Sequence, residues 1–243
     1  MRLDPNALVR SFDRARSGKE SRHAVTDRVS PSIFQYDYLA LKTLSDDIAA
    51  CIAGAPIPRT DALALDMGAG RSPYRRHLEA RGYTVKTLDS SPGSGADFVG
   101  DAADSGLPDG LADLVLCTQV LEHTSHPGRV MQEMHRILRP GGLLIASAPH
   151  VWFYHPHPGD YWRFTQEGIV QLCEDGAFQL LELHGQGGSV LTLFQVCNFL
   201  LYGAVGRIGG PAFGVLNLMG RLLDRAVPNE LLCHNFVWLA RRR

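Results

Sequence analysis

Apolar residues recur at helical spacing through residues 33–52, with Leu41, Leu44, Ile48 and Ile52 on one face, and predict a leading helix. Gly54-Ala55-Pro56 and Pro58 end it, and the next apolar run, Ala62-Leu63-Ala64-Leu65, has the length of a buried strand. Further strand signals at 84–89, 97–100, 113–118 and 142–148 alternate with helical or loop segments, the pattern of a parallel sheet covered by helices. Ser72-Pro73 carries the chemistry of an N-cap followed by proline at the first helical position, which predicts a helix starting immediately after Gly70. Between Pro127 and Leu138, the residues Val130, Met131, Met134, Ile137 and Leu138 form one apolar stripe, closed by Pro140-Gly141-Gly142. Thr165 reads as a second N-cap, with Phe164 and Ile169 as a hydrophobic staple, opening a helix to about Glu174. Strands at 179–183 and 236–240 then bracket an unusually apolar segment, 190–227, which Gly206, Gly209-Gly210 and Pro211 split into two helices. This predicts a helical-pair insertion at 189–227 within one domain, 31–243, preceded by a polar segment, 1–30, that lacks periodicity and is expected to be loosely ordered.

A chain of 243 residues with 45% hydrophobic composition suffices for one large α/β domain plus an insertion. The net charge of −1, with both signs interspersed, argues against a nucleic-acid partner. The 5 cysteines stand far apart in no metal-ligand spacing, and read as buried reduced thiols. No apolar stretch of signal-peptide length occurs in the opening residues, so a cytoplasmic protein is expected. Residues 190–205 are nearly all apolar, yet fewer than the roughly 20 a helix needs to cross a bilayer. A hairpin through 190–226 resting on the inner face of the membrane, a homodimer interface, a lid over a pocket and ordinary core packing all stay open.

The richest chemistry lies in Leu65-Asp66-Met67-Gly68-Ala69-Gly70, a strand end running into a glycine turn. An acidic residue two positions before the first glycine disfavours a pyrophosphate, which needs a helix N-terminus free of negative charge. A cationic ligand fits better, and S-adenosylmethionine carries an ammonium and a sulfonium. Asp89 ends the second strand, where a carboxylate can accept both ribose hydroxyls, and Asp101 follows the third, where it can accept from an adenine amino group. Three carboxylates thus fall at the carboxyl ends of consecutive strands, the edge where open sheets bind ligands.

Together with Asp113-Leu114-Val115-Leu116, Val120-Leu121-Glu122-His123 and Arg136-Ile137-Leu138-Arg139-Pro140-Gly141-Gly142, these motifs resemble the class I methyltransferases, in particular the type 11 group, over about residues 62–178. The resemblance implies an α/β, Rossmann-like fold with a seven-stranded, mostly parallel sheet whose last strand is antiparallel. It also implies S-adenosylmethionine as methyl donor, held by Asp66, Gly68, Ala69, Gly70, Asp89, Ser90, Asp101, Ala102, Gln119 and Leu121. The chain departs from the group at Ser72, where many members have a third glycine.

The segment from His155 to Thr165 resembles a stretch of methyltransferases associated with bacterial polysaccharide and glycan assembly. Its rings suit apolar sugar faces, and its Asp and His suit hydroxyls. A hydroxyl acceptor needs a base, a contribution of about 10²–10⁴-fold, and His155, His157 and Asp160 are the candidates. Equally open is a loop in which Asp160 and Arg163 form a structural ion pair and the histidines only shape the chain. Gln119-Val120-Leu121-Glu122-His123 resembles a segment with which some small-RNA and quinone methyltransferases hold a divalent ion through carboxylate and histidine ligands. Gln119 stands here for their first carboxylate, and a neutral amide is a poorer ligand for a hard cation, so Glu122 and His123 are weak metal candidates. The resulting expectation is O-methylation of a saccharide or glycolipid. The alternatives are a methyltransferase for a quinone or other small metabolite, and, from another class, a non-catalytic nucleoside-binding protein.

Overall fold

Seven strands form one sheet in the order β3-β2-β1-β4-β5-β7-β6. They are β1 (Leu63–Met67), β2 (Thr84–Asp89), β3 (Phe98–Val99), β4 (Ala112–Thr118), β5 (Leu138–Pro149), β6 (Phe178–Gln186) and β7 (Asn235–Arg242). The computed structural model describes residues 28–156 and 158–243. The expected loose segment therefore lies outside the described residues as far as residue 27, as does His157. β1 pairs in parallel with β2 and β4, β2 with β3, and β4 with β5, while β7 runs antiparallel between β5 and β6. This is the Rossmann-like methyltransferase fold with its antiparallel last strand. β1, β4 and β5 read as near-continuous apolar runs because both their faces are covered.

The helices are α1 (Tyr38–Gly54), α2 (Arg75–Arg81), α3 (Pro127–Ile137), α4 (Gln166–Asp175), α5 (Ser189–Val205) and α6 (Gly210–Ala226). α3 buries Val130, Met131, Met134 and Ile137 in the main core. At α4 the Thr165 hydroxyl accepts from Gly168 N at 3.1 Å, and Phe164 and Ile169 both enter that core. Two expectations change. α2 starts at Arg75 rather than after Gly70, because Ser72 sits in the left-handed region (φ 50°) and spends its hydroxyl on Asp66 instead of an orphan amide. Pro140-Gly141-Gly142 lies inside β5 rather than in a loop; Gly141 takes φ 75° and the register with β4 shifts between Ala112 and Leu114, a local irregularity that keeps the strand paired.

By its contacts the chain divides into a unit of Leu44–Gln186 and Cys233–Arg243, which holds the sheet, and a second unit that includes residues 28–43 and Gly187–Leu232, which holds α5 and α6. α1 passes from the second unit into the first. In the sheet unit His234 is fully buried, neither ring nitrogen has a hydrogen-bond partner among the described residues, and burial pushes its pKa down to about 4.

Candidate active site

The turn after β1 places Gly68, Gly70 and Ser72 in the left-handed region. At Gly68 (φ 68°) glycine is needed twice, since a Cβ there would lie 2.4 Å from Val120 Cγ2. The turn is tied to β2: Gly68 N and Ala69 N donate to Leu88 O at 2.8 and 3.1 Å, and Gly70 N donates to Asp89 Oδ2 at 2.8 Å. Asp89 Oδ1 accepts from Ser91 N at 2.9 Å, so this carboxylate organises two backbone segments at the end of β2, with Ser90 exposed between them. Asp101 is exposed and accepts from Ala103 N at 2.8 Å, beside the partly buried Ala102.

Asp66, one residue before the end of β1, faces inward. Only 2% of it is exposed, and its Oδ2 accepts from Ser72 Oγ at 2.6 Å, which pins the glycine turn from within. Burial pushes its pKa up to about 6, against the Ser72 hydrogen bond and the Arg75 charge, so the group is ionised at neutral pH. Gln119 (φ 55°) donates from N to Ser147 O at 3.0 Å and from Nε2 to Ser147 Oγ at 3.1 Å. Leu121 is fully enclosed in the apolar core.

Asp66 and His234 have opposite linkage to pH. A carboxyl whose folded pKa is raised favours the folded state while protonated, so its contribution falls as pH rises from 3.8 to about 6. A histidine whose folded pKa is depressed contributes above 6.5 and loses that contribution as pH falls toward about 4. Each amounts to about 3 kcal/mol, and the two offset each other across one window. Urea denaturation between pH 4 and 7 is expected to show the two contributions as differences from the wild-type profile. Asp66→Asn should gain stability with rising pH, and His234→Asn should lose it; parallel profiles for all three proteins would refute the assignment.

After β5 the chain closes a loop on itself: Phe164 N donates to Pro149 O at 2.9 Å, and the His150 ring bonds through Nδ1 to Phe164 O at 2.7 Å. Inside it Arg163 grips the buried Asp160 through both guanidinium nitrogens, at 2.5 and 2.8 Å, and donates to the carbonyls of Phe153 and Trp152. Asp160 Oδ2 also accepts from His155 N at 2.9 Å. Burial works to raise the Asp160 pKa, but Arg163 and the His155 amide outweigh it and hold it below the ordinary value. Asp160 is thus the clasp of the loop rather than an available base, the ion-pair alternative that the sequence left open.

The same clasp sets His155. Its Nδ1 lies 2.9 Å from Phe153 O and 3.3 Å from Asp160 Oδ2, and such acceptors select the Nδ1–H tautomer and leave a lone pair on Nε2. Burial lowers its pKa, so the ring is neutral near pH 7. His123 bonds through Nδ1 to Gly159 O, and its Nε2 lies 3.8 Å from Glu122 Oε1. Tyr161 N donates to Glu122 O at 2.8 Å and Trp162 Nε1 to Thr124 O at 2.9 Å, which lays the loop over residues 122–124. The two imidazoles meet edge-on with centroids 4.9 Å apart, and ligand atoms of Glu122, His123 and His155 all lie within 4.8 Å of one another. This cluster can take a proton, and its two imidazoles and one carboxylate can also hold a divalent cation. Sequence reasoning singled out each residue but not the meeting of His155 with His123, which are far apart along the chain.

Residues 65–146, about a third of the chain, match the family model described as methyltransferase domain. The chain is 37% identical over 65 residues to human thiol S-methyltransferase TMT1B, covering 27% of this chain and 25% of the relative. It is 26% identical over 137 residues to malonyl-[acyl-carrier protein] O-methyltransferase of Serratia marcescens, covering 52% and 53%. The chain therefore spans between a quarter and about half the length of these curated relatives. Among solved structures, Burkholderia thailandensis 1,6-didemethyltoxoflavin-N1-methyltransferase with bound S-adenosylhomocysteine superposes with a TM-score of 0.54 at 18% identity, over 98% of this chain and 88% of that one. Residues 65–146 are thus a methyltransferase domain on a Rossmann-like methyltransferase fold.

Proposed function

We propose that the chain is an S-adenosylmethionine-dependent methyltransferase whose acceptor is a hydroxyl of a saccharide or glycolipid. The observation that carries the donor half is the row of Asp66, Asp89 and Asp101 at the ends of β1 and β2 and just after β3, with Asp89 tied to the glycine turn through Gly70 N and Asp66 through the Ser72 hydroxyl. Asp89 and Asp101 fit the donor's hydroxyl and amino hydrogens, Gly68, Ala69 and Gly70 its approach to the backbone, and the ionised Asp66 its positive charge. When bound, S-adenosylmethionine supplies a methyl carbon whose bond to sulfur breaks as the acceptor oxygen bonds to it, leaving S-adenosylhomocysteine.

The acceptor half rests on the loop after β5. Tyr154, Tyr161 and Trp162 are exposed rings beside the Glu122, His123 and His155 cluster, which suits a ligand with apolar faces and many hydroxyls. In this reading His155 Nε2 receives the acceptor's proton, His123 and Glu122 stabilise the cation formed, and Asp160 and Arg163 hold the loop in register. Val120, which packs on Gly68, stands two residues before Glu122, and this supports a cluster close to the donor's edge of the sheet.

The test is incubation of the full chain with methyl-labelled donor and bacterial extract, split into lipid, polysaccharide and small-molecule fractions. Label is expected in the lipid or polysaccharide fraction. Label confined to quinones or other small metabolites would replace the acceptor assignment. Donor binding by calorimetry with no label transferred to any fraction would make the chain a nucleoside-binding module.

A further inference from the structure

Besides Leu191 and Phe213, α5 and α6 bury polar side chains and expose apolar ones. Their inward faces hold Thr192, Gln195, Asn198 and Asn217, none more than 2% exposed, while Leu193, Leu200, Val215, Leu218, Leu222 and Leu223 are 44–66% exposed. The buried amides tie the two helices to each other and to residues 33–36. Asn198 Nδ2 donates to Asn217 Oδ1 at 2.7 Å, Asn217 Nδ2 to the carbonyls of Ile33 and Gln35 at 2.7 and 2.9 Å, and Gln195 Nε2 to Tyr36 O at 2.9 Å. Glycine lets the elements close up: a Cβ on Gly220 would lie 3.0 Å from Phe194, and one on Gly214 would lie 2.8 Å from Phe34. A helix facing water turns its apolar stripe inward. Small residues and amides draw helices together where the surroundings are themselves as apolar as leucine.

The outer face of α6 is a stripe of Val215, Leu218, Met219, Leu222 and Leu223 at intervals of three and four residues. By the same periodicity the exposed Arg225 borders one edge of the stripe, while Arg221 is turned onto Tyr38, donating to its hydroxyl at 2.5 Å and lying over its ring. The acid of this helix, Asp224, is turned back onto α5, accepting from Leu191 N at 3.2 Å. The charge beside the apolar stripe is therefore cationic, complementary to anionic headgroups. Each helix has 17 residues, and among the described residues no helix is long and apolar enough to cross a membrane.

We propose that α5 and α6 seat their outward leucine face in the headgroup–acyl boundary of an anionic phospholipid bilayer, with Arg225 at the phosphates. This rests on the patterning of the two helices and holds whichever acceptor the active site uses. It is tested by sedimenting the full-length protein with phosphatidylcholine vesicles, with and without one third phosphatidylglycerol, alongside Leu218→Glu/Leu222→Glu and Arg225→Glu. Circular dichroism and S-adenosylhomocysteine affinity check that the variants, altered at outward positions, remain folded. The wild type is expected to partition about fivefold more strongly onto anionic than neutral vesicles at low salt. The double variant should lose binding about tenfold or more, and Arg225→Glu about fivefold. Equal sedimentation with and without vesicles, or of wild type and double variant, would overturn the proposal. So would light scattering that shows a wild-type dimer made monomeric by the double variant with vesicle binding unchanged, since a second copy would then cover this face.

Discussion

Replacing His155 with alanine is expected to lower turnover about 10²–10⁴-fold, with donor affinity within about twofold of wild type. The size follows from what the ring does in this structure. Its Nδ1–H is committed to the Phe153 carbonyl and faces the Asp160 carboxylate, so the proton-accepting nitrogen is Nε2, in a ring that burial keeps neutral at the working pH. Alanine removes that lone pair and leaves His123 without the imidazole it meets edge-on. Because the two rings act as one unit, the His123→Ala/His155→Ala double variant should be scarcely slower than the worse single variant. Asp160→Ala should differ in kind. It leaves Arg163 without its carboxylate and frees the loop, so KM for the acceptor should rise and thermal stability should fall together. A chelator separates two ways of using the cluster: an unchanged rate assigns direct proton transfer to His155, and a lost rate restored by a divalent cation assigns Glu122, His123 and His155 to a metal. Wild-type turnover in His155→Ala would remove the cluster from the chemistry altogether.

The parts of this molecule that were legible in the sequence are those whose local pattern and tertiary surroundings agree. β1, β4 and β5 appear as short apolar runs because helices cover both faces of the central sheet, and α3 shows its stripe because one side of it enters the core. Ser72 misled for a physical reason. A serine before a proline carries capping chemistry wherever it stands, and only the fold reveals that a buried carboxylate six residues earlier claims its hydroxyl. Pro140-Gly141-Gly142 has the composition of a loop, yet the pairing of β4 on one side and β7 on the other holds the strand of which it is part. The cluster was half visible. Asp160 and Arg163 stand three residues apart and pair locally, whereas the meeting of His123 with His155 depends on the Gly159 carbonyl, which takes His123 Nδ1 from 36 residues along the chain. In α5 and α6 mean hydropathy identified helices but not their orientation, because the few amides that face inward carry that information and the many leucines obscure it.

Asp89→Ala is expected to weaken both S-adenosylmethionine and S-adenosylhomocysteine about 30- to 150-fold in calorimetry, the equivalent of about 2–3 kcal/mol for a hydrogen-bonded charged group. Two effects add. The carboxylate is the acceptor that fixes Gly70 N and Ser91 N, so its loss loosens the turn over which the donor must lie. It also stands at the end of β2, where the ribose hydroxyls of the proposed donor would need an acceptor. Asp89→Asn divides these contributions, because the amide oxygen can still receive one backbone N–H while its NH₂ faces the other. Intermediate affinity is therefore expected, with less thermal destabilisation than alanine causes. The two ligands must fall in parallel, since they share the ribose and differ at the sulfonium. A change at Asp66 acts on the opposite feature: neutralising it with asparagine should narrow the preference for the cationic donor over its uncharged-sulfur product and leave the ribose contribution in place. If Asp89→Ala bound S-adenosylhomocysteine as tightly as wild type, the nucleoside could not lie at the end of β2, and the donor site would have to be sought on another edge of the sheet.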